Sequence, residues 1–231
     1  MYSKKIDSPR ETLKKYVTNN ISIMSGGFGL CGIPENSINY ISQLQANNLT
    51  VISNNIGNSG RGLVKLLKQD MISKALCSYV GGNPDLEEKI LNQTIEIELI
   101  PQGTFIERIR AAGVGVRAFY TPTGYGTLIA EGKEEKDFDR PCIMEYSLSA
   151  DVAIIKAEIG DEFGNLHFKE TAQNFSPLMA MAAKTTIVEV EKLVSIGELK
   201  PELIHLPGIF VQHIYEGENY ENAIEHLKVR K

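Results

Sequence analysis

Four times between Ile21 and Ala112 the sequence passes from a short β-forming run, through a loop rich in glycine, asparagine or proline, into a stretch with helical spacing. The runs are Ile21 to Ser25, Leu49 to Ser53, Ala75 to Val80 and Ile95 to Ile100. The helical stretches run from Pro34 to Leu44, Gly62 to Lys68, Pro84 to Leu91 and Thr104 to Ala112. Neighbouring parallel strands cannot be joined by a tight turn and need a crossover, usually a helix. The alternation therefore predicts an α/β fold, a mostly parallel open sheet with helices on both faces. Ahead of it, Ser8, Pro9 and Glu11 predict a helix on the domain edge, with Ser8 as N-cap and Glu11 closing a capping box.

Beyond Gly113 the pattern changes. A charged stretch from Glu131 to Arg140 predicts an exposed loop or hairpin. Asp151 to Ala157 predicts a buried strand, Pro177 to Ala183 a short helix, and Thr185 to Glu191 a further strand. With no Pro/Ser-rich linker and no internal repeat, one domain is expected over residues 1–231.

Composition narrows the function classes. Lysine and arginine number 24 against 29 aspartate and glutamate, a net charge of −5, which argues against a general nucleic-acid or anionic-membrane surface. No apolar run approaches the roughly 18 residues of a membrane span, and Met1 to Pro9 lacks the apolar stretch of a secretory signal. A soluble, cytoplasmic protein is expected. Cys31, Cys77 and Cys142 are odd in number and without CxxC spacing, which fits reduced thiols. No metal site is suggested, because His167, His205, His213 and His226 do not cluster.

In an open parallel sheet, ligands bind beyond the carboxyl ends of the strands. The loops after the first, second and fourth strands should therefore share one rim. They carry Gly26-Gly27-Phe28-Gly29-Leu30-Cys31-Gly32, Ser53-Asn54-Asn55 and Pro101-Gln102-Gly103-Thr104. Gly27 to Gly32 match GxGxxG in the strand-to-helix setting of a dinucleotide site. Such a site needs a carboxylate roughly 20 positions on to hold the ribose, and Ser53-Asn54-Asn55 stands there instead. That counts against a NAD-dependent oxidoreductase. A tight turn packing helix on sheet is the plainer reading of the same glycines.

The stretch from Asn19 to Asn36, with Gly26-Gly27-Phe28-Gly29-Leu30-Cys31-Gly32-Ile33-Pro34 at its centre, resembles the first signature of the class I CoA-transferases. The likeness is strongest to the A-type subunits of the succinyl-CoA:3-oxoacid branch. It continues in order through Val51 to Asn55, Ser78 to Gly81, Pro101 to Thr104, Phe119 to Thr127, Asp151 to Ala157, Asn174-Phe175, Glu189 to Glu191 and His205 to His213.

The resemblance implies the CoA-transferase (NagB/RpiA-like) fold and a ping-pong exchange. A glutamate carboxylate attacks an acyl-CoA, becomes a glutamyl-CoA thioester, and passes CoA to a second carboxylic acid. In the family that glutamate lies on the B-type subunit, within a Ser-Glu-Asn-Gly sequence absent from this chain. No glutamate here is therefore nominated as nucleophile. The implied partner is a B-type CoA-transferase subunit, in a heterotetramer of two A-type and two B-type chains, with succinyl-CoA as donor and acetoacetate as acceptor. No cofactor is implied, CoA being part of the substrate.

By the same resemblance Gly26, Gly27, Phe28, Gly29, Leu30, Cys31 and Gly32 form the CoA-contacting loop. Gln102 is the catalytic residue whose amide stabilises the thioester oxyanion, and Asn54 and Asn55 orient carboxylates. Plainer readings stand beside these. Gln102 also fits a helix cap, Asn54 and Asn55 fit turn formers, and Glu107, Arg108 and Arg110 fit a solvated or mutually paired helix face rather than a CoA phosphate clamp. Cys31 fits a small buried thiol, and His205 and His213 fit structural roles. Thr121 to Thr127 fits either an acyl-pocket border or a contact with the partner.

The sequence departs from the family pattern at Ser25, at Asn58 to Arg61, at Gly82-Asn83-Pro84, and at Gln173 and Ser176. The missing arginine at Gln173 bears on pairing between the two chains. Other readings kept open are a subunit of an acetate- or butyrate-type acetoacetate CoA-transferase, and a non-catalytic CoA-binding module.

Overall fold

The computed structural model describes residues 2–58 and 60–223. In chain order the strands are β1 (Ser22–Ser25), β2 (Leu49–Ile52), β3 (Ile72–Cys77), β4 (Glu96–Leu99), β5 (Ala118–Thr121), β6 (Glu135–Asp137), β7 (Pro141–Tyr146), β8 (Ala150–Asp161), β9 (Leu166–His167), β10 (Ala183–Val194) and β11 (His213–Glu216). The helices are α1 (Pro9–Tyr16), α2 (Glu35–Ile41), α3 (Val64–Leu67), α4 (Pro84–Leu91), α5 (Gln102–Gly113) and α6 (Ser176–Ala182).

The main sheet runs β11-β10-β8-β1-β2-β3-β4, parallel throughout, with β9 antiparallel to β8. From β1 the chain builds outward through β2, β3 and β4, then resumes on the other side of β1 with β8. The order reverses between β1 and β8, where Ser25 pairs with Ile154. This boundary is the sheet's switch point, where helices from the two halves diverge and leave a crevice.

Alternate residues of a strand point to opposite faces. In β1, Ile23 joins a core with Leu13 of α1, Ile38 of α2, Leu66 of α3 and Leu86 of α4. Its neighbour Met24 joins a second core with Phe105 and Ile109 of α5 and Met179 of α6. Both faces of the sheet are therefore covered, as the strand-loop-helix alternation requires.

Local chemistry explains where boundaries fall. Asn83 caps α4, its side-chain oxygen accepting from the Leu86 N–H at 3.2 Å. At α1 the expected capping box does not form. Ser8 makes no side-chain cap bond, and Pro9, with its fixed φ and no N–H to satisfy, stands at the start of the helix. The second crossover helix is shorter than its sequence span because Gly62 has φ +64°, outside helical geometry. β3 ends at Cys77 because the N–H groups of Ser78 and Tyr79 both turn to the Asn54 carbonyl, at 3.1 and 3.2 Å.

The charged stretch folds as the hairpin of β6 and β7, which with β5 makes a small antiparallel sheet. Arg108 of α5 ties this sheet to the body. Its Nε donates to the Tyr146 carbonyl at 2.9 Å and its Nη1 to Glu98 at 2.7 Å. No helix among the described residues is long and apolar enough to cross a membrane.

Candidate active site

The glycine loop leaves β1 over the carboxyl edge of the sheet at the switch point. The Gly26 N–H extends the ladder to the Ile154 carbonyl at 3.0 Å. Phe28 and Cys31 then exchange both backbone hydrogen bonds at 3.0 Å, making a tight hairpin with Gly29 and Leu30 at its tip. Two buried or half-buried amides hold it from beneath. Asn174 accepts from the Gly27 N–H at 3.0 Å, and Asn54 accepts from the Gly29 N–H at 3.0 Å. Asn54 is itself fixed by donating to the Ser78 hydroxyl at 3.0 Å.

The N–H groups of Gly26, Gly27, Phe28, Gly29 and Cys31 are thus committed to protein acceptors. A dinucleotide site instead turns its loop amides and the following helix N-terminus toward phosphate. Here that helix end is filled from inside. The buried carboxylate of Glu189 accepts from the Asn36 N–H at 3.2 Å and the Ser37 N–H at 2.6 Å at the start of α2. The GxGxxG spacing has produced a narrow, side-chain-poor ridge rather than a phosphate cradle.

The ridge requires its glycines. Gly32 has φ +71°, and a Cβ there would lie 2.5 Å from the Ala172 carbonyl oxygen and 2.8 Å from Asn174 Nδ2. A Cβ on Gly26 would lie 2.5 Å from the hydroxyl of Ser176, one of the positions that depart from the family pattern.

Against the ridge lies a pocket of 320 Å³ lined by Phe28, Cys31, Gln102, Thr171, Asn174 and Phe175. Phe175 closes its floor, edge-on to Phe28 and to Phe105 with ring centres 5.9 and 6.0 Å apart. Gln102 is the first residue of α5, with Pro101 at the N-cap position. It is exposed, and its side-chain amide has no protein partner among the described residues. The helix-cap reading of Gln102 is therefore not what the geometry gives. A neutral donor at the mouth of an apolar-floored pocket can stabilise charge developing on a carbonyl oxygen.

Of the two asparagines expected to orient carboxylates, Asn54 has both ends of its amide bonded within the protein, and Asn55 uses its oxygen in a turn. Asn54 holds the hairpin tip, and Asn55 accepts from the Gly57 N–H at 3.3 Å in a local turn. The pairing expected of the helix face is present in part: Glu107 and Arg110 bond to each other at 2.5 Å, and hydrogen bonding to Arg110 holds the Glu107 carboxyl below its usual range, whereas Arg108 turns to Glu98 and the Tyr146 carbonyl. His205 accepts from the Phe168 N–H at 3.0 Å, and His213 meets the Tyr16 hydroxyl at 3.1 Å. Cys31 is half-buried and unpaired with another thiol. Gln173 ends a short 3-10 turn, and nothing in the structure explains that departure.

Sequence reasoning did not single out Asn174, Glu189 or Lys156 as functional. Lys156 is buried at a second cavity of 260 Å³ on the far side of Cys31 and Thr171, paired with Glu191 at 2.8 Å. A charged residue in the strand segments Asp151 to Ala157 and Thr185 to Glu191 was the available signal, since strands covered on both faces are otherwise apolar.

The model of the coenzyme A transferase family matches residues 6–217. The chain is 51% identical over 210 residues to the A-type subunit of a succinyl-CoA:3-ketoacid coenzyme A transferase of Helicobacter pylori, covering 90% of each. It is 47% identical over 201 residues to the A-type subunit of a 3-oxoadipate CoA-transferase of Pseudomonas putida, covering 86% of this chain and 87% of that one. Among solved structures, the apoenzyme of an acyl-CoA transferase from Escherichia coli O157:H7 superposes with a TM-score of 0.85 at 20% identity. That match covers 97% of this chain and 50% of the E. coli chain, so this chain spans half of that enzyme. Glutaconate coenzyme A-transferase from Acidaminococcus fermentans superposes with a TM-score of 0.81 at 18% identity, over 93% of this chain and 75% of that one.

The chain belongs to the coenzyme A transferase family, as one of its A-type subunits.

Proposed function

We propose that this chain provides the acyl-positioning half of a two-component enzyme that moves CoA from succinyl-CoA to acetoacetate. The nucleophilic glutamate comes from a B-type partner and is loaded as a glutamyl-CoA thioester. The observation that carries this reading is the placement of Gln102. Its amide, without a protein partner among the described residues, stands at the mouth of the pocket that Phe28, Cys31 and Phe175 form beside the glycine ridge.

Each residue then has a physical task. The ridge of residues 26–32 offers backbone without bulk, so that the flat thioester lies close against it. Asn54 fixes the ridge tip, and Asn55 shapes the adjoining turn. Gln102 donates to the thioester oxygen as it gains charge. A neutral amide suits this position because a fixed cation would lower the basicity of the attacking carboxylate. The unpaired thiols Cys31, Cys77 and Cys142 fit a reducing, cytoplasmic setting. The relative named for 3-oxoadipate supports a second acceptor, to be compared directly with acetoacetate.

The test is co-expression with a B-type chain carrying Ser-Glu-Asn-Gly, followed by assay of the lone chain and of the complex with each acceptor. Exchange by the complex alone, with the borohydride-trapped label on the B-type partner and a mass of two chains of each type, is the expected result. Turnover by the lone chain, or label within its 231 residues, overturns the proposal.

A further inference from the structure

We infer that Asn174 is a positioning residue that clamps both legs of the glycine hairpin and so sets the width of the pocket facing Gln102. The inference rests on the functional reading above. The Asn174 side-chain oxygen accepts from the Gly27 N–H at 3.0 Å on the incoming leg. Its nitrogen donates to the Cys31 carbonyl at 3.3 Å on the outgoing leg, and to Ala172 in its own loop at 2.7 Å. Reaching both legs with one amide requires an unusual backbone. Asn174 has φ +34° and ψ −122°, a region that L residues seldom occupy, and the Phe175 N–H returns to the same side-chain oxygen at 2.7 Å.

Two consequences follow from the geometry. The clamp lines the same pocket as Phe175 and Gln102, so the separation of ridge and Gln102 depends on it. It also fixes the one pair of facing residues, Phe28 and Cys31, on which the hairpin closes. Asn54 holds the tip and Asn174 the base, and only the base adjoins the pocket floor. Losing the base clamp lets the ridge shift relative to the amide donor, and small misplacements of a reacting group lower the rate steeply without loosening substrate binding equally.

The experiment compares Asn174→Gly and Asn174→Asp with the parent chain, alone and in complex with the B-type partner. Glycine tolerates the positive φ, so the fold should persist while the clamp is lost. In the full chain, amide hydrogen exchange of the peptide spanning residues 26–32 should quicken by about tenfold in Asn174→Gly. In the complex, kcat should fall by about 30-fold, with KM for the acyl-CoA within about threefold of the parent value.

Asn174→Asp keeps the acceptor for Gly27 but sets a carboxylate against the Cys31 and Ala172 carbonyls. Protonation restores the donor, so its activity relative to the parent should rise as pH falls. Unchanged exchange of the hairpin peptide, kcat within about threefold of the parent, or a flat activity ratio for Asn174→Asp would each overturn the clamp. If the parent complex shows no CoA exchange, the functional reading fails, while the hydrogen-exchange comparison still decides whether Asn174 holds the hairpin.

Discussion

The buried carboxylate of Glu189 on β10 caps the start of α2 through the Ser37 N–H, at 2.6 Å, across 152 positions of sequence. Its two oxygens also take the Asn36 N–H at 3.2 Å and the Tyr215 hydroxyl at 3.0 Å, and Ser37 Oγ meets that hydroxyl at 2.7 Å. Burial pushes the Glu189 carboxyl up and these donors pull it down, with burial the larger influence. Glu189→Ala strands the Asn36 and Ser37 N–H groups at the start of α2 and leaves the Tyr215 hydroxyl only its contact with Ser37 Oγ. Each orphaned polar group costs about 1–3 kcal/mol. We expect a loss of about 3 kcal/mol or more, read as a melting temperature lower by about 6–12 °C. A variant melting with the parent would refute the cap.

Gln102 offers the opposite case, an exposed side chain with no hydrogen bond to lose among the described residues. Gln102→Ala should leave the melting temperature of the chain unchanged. In the complex with the B-type partner it should lower kcat by about 100- to 1,000-fold, the usual effect of deleting one oxyanion donor. KM should move little, because the interaction strengthens only as the oxygen gains charge. Steady-state kinetics of the complex check this, and a loss confined to KM would assign Gln102 to ground-state binding instead.

Gly32 tests the ridge itself. An L residue in left-handed geometry costs about 1–2 kcal/mol by backbone strain alone. In Gly32→Ala the new methyl also meets the Ala172 carbonyl oxygen at 2.5 Å. Gly115 supplies the control, with φ +81° and nothing within 4 Å of its Cβ position. Gly115→Ala should show the strain only, and Gly32→Ala a clearly larger drop in melting temperature with loss of exchange activity. Equal drops would mean that the loop of residues 170–174 yields freely.

Much of this architecture is legible in the chain because parallel strands need crossovers. The spans of β1, β2, β4 and α4 follow from their apolar runs and from the Asn83-Pro84 start signal. Boundaries slip where a tertiary partner overrides local preference. Asn54 draws Ser78 and Tyr79 out of β3.

The rim of the site is readable from the order of the loops, which brings the glycine ridge and Gln102 to one pocket. Its supports are not. Asn174 lies 147 positions from Gly27, and Glu189 lies 153 from Asn36. No local period connects such pairs. The GxGxxG pattern misleads for a related reason: spacing records where backbone must be unencumbered, but not whether its N–H groups face a ligand or the protein.

Asp151, at the edge where β8 begins beside β1, ties acid stability to the switch point. It accepts from the Ser22 N–H at 2.9 Å and hydroxyl at 2.8 Å, and from the Lys184 ammonium at 2.7 Å. The bond from Lys184 and then those from Ser22 lower its carboxyl from the ordinary 3.8 to about 2. The unfolded chain therefore binds a proton at this position before the folded chain does. The stabilisation is complete above the unfolded value and is lost as pH falls from about 4 toward 2. Its side chain is 36% exposed and that of Lys184 78%, so solvent screening reduces the effect to about 1 kcal/mol. Asp151→Asn should lower the melting temperature at neutral pH by about 2–4 °C. It should also flatten the fall in melting temperature between about pH 4 and pH 2, because the variant has no proton to gain there. Calorimetric scans of parent and variant across that window decide the point, and parallel acid limbs would show that Asp151 carries no part of the proton linkage.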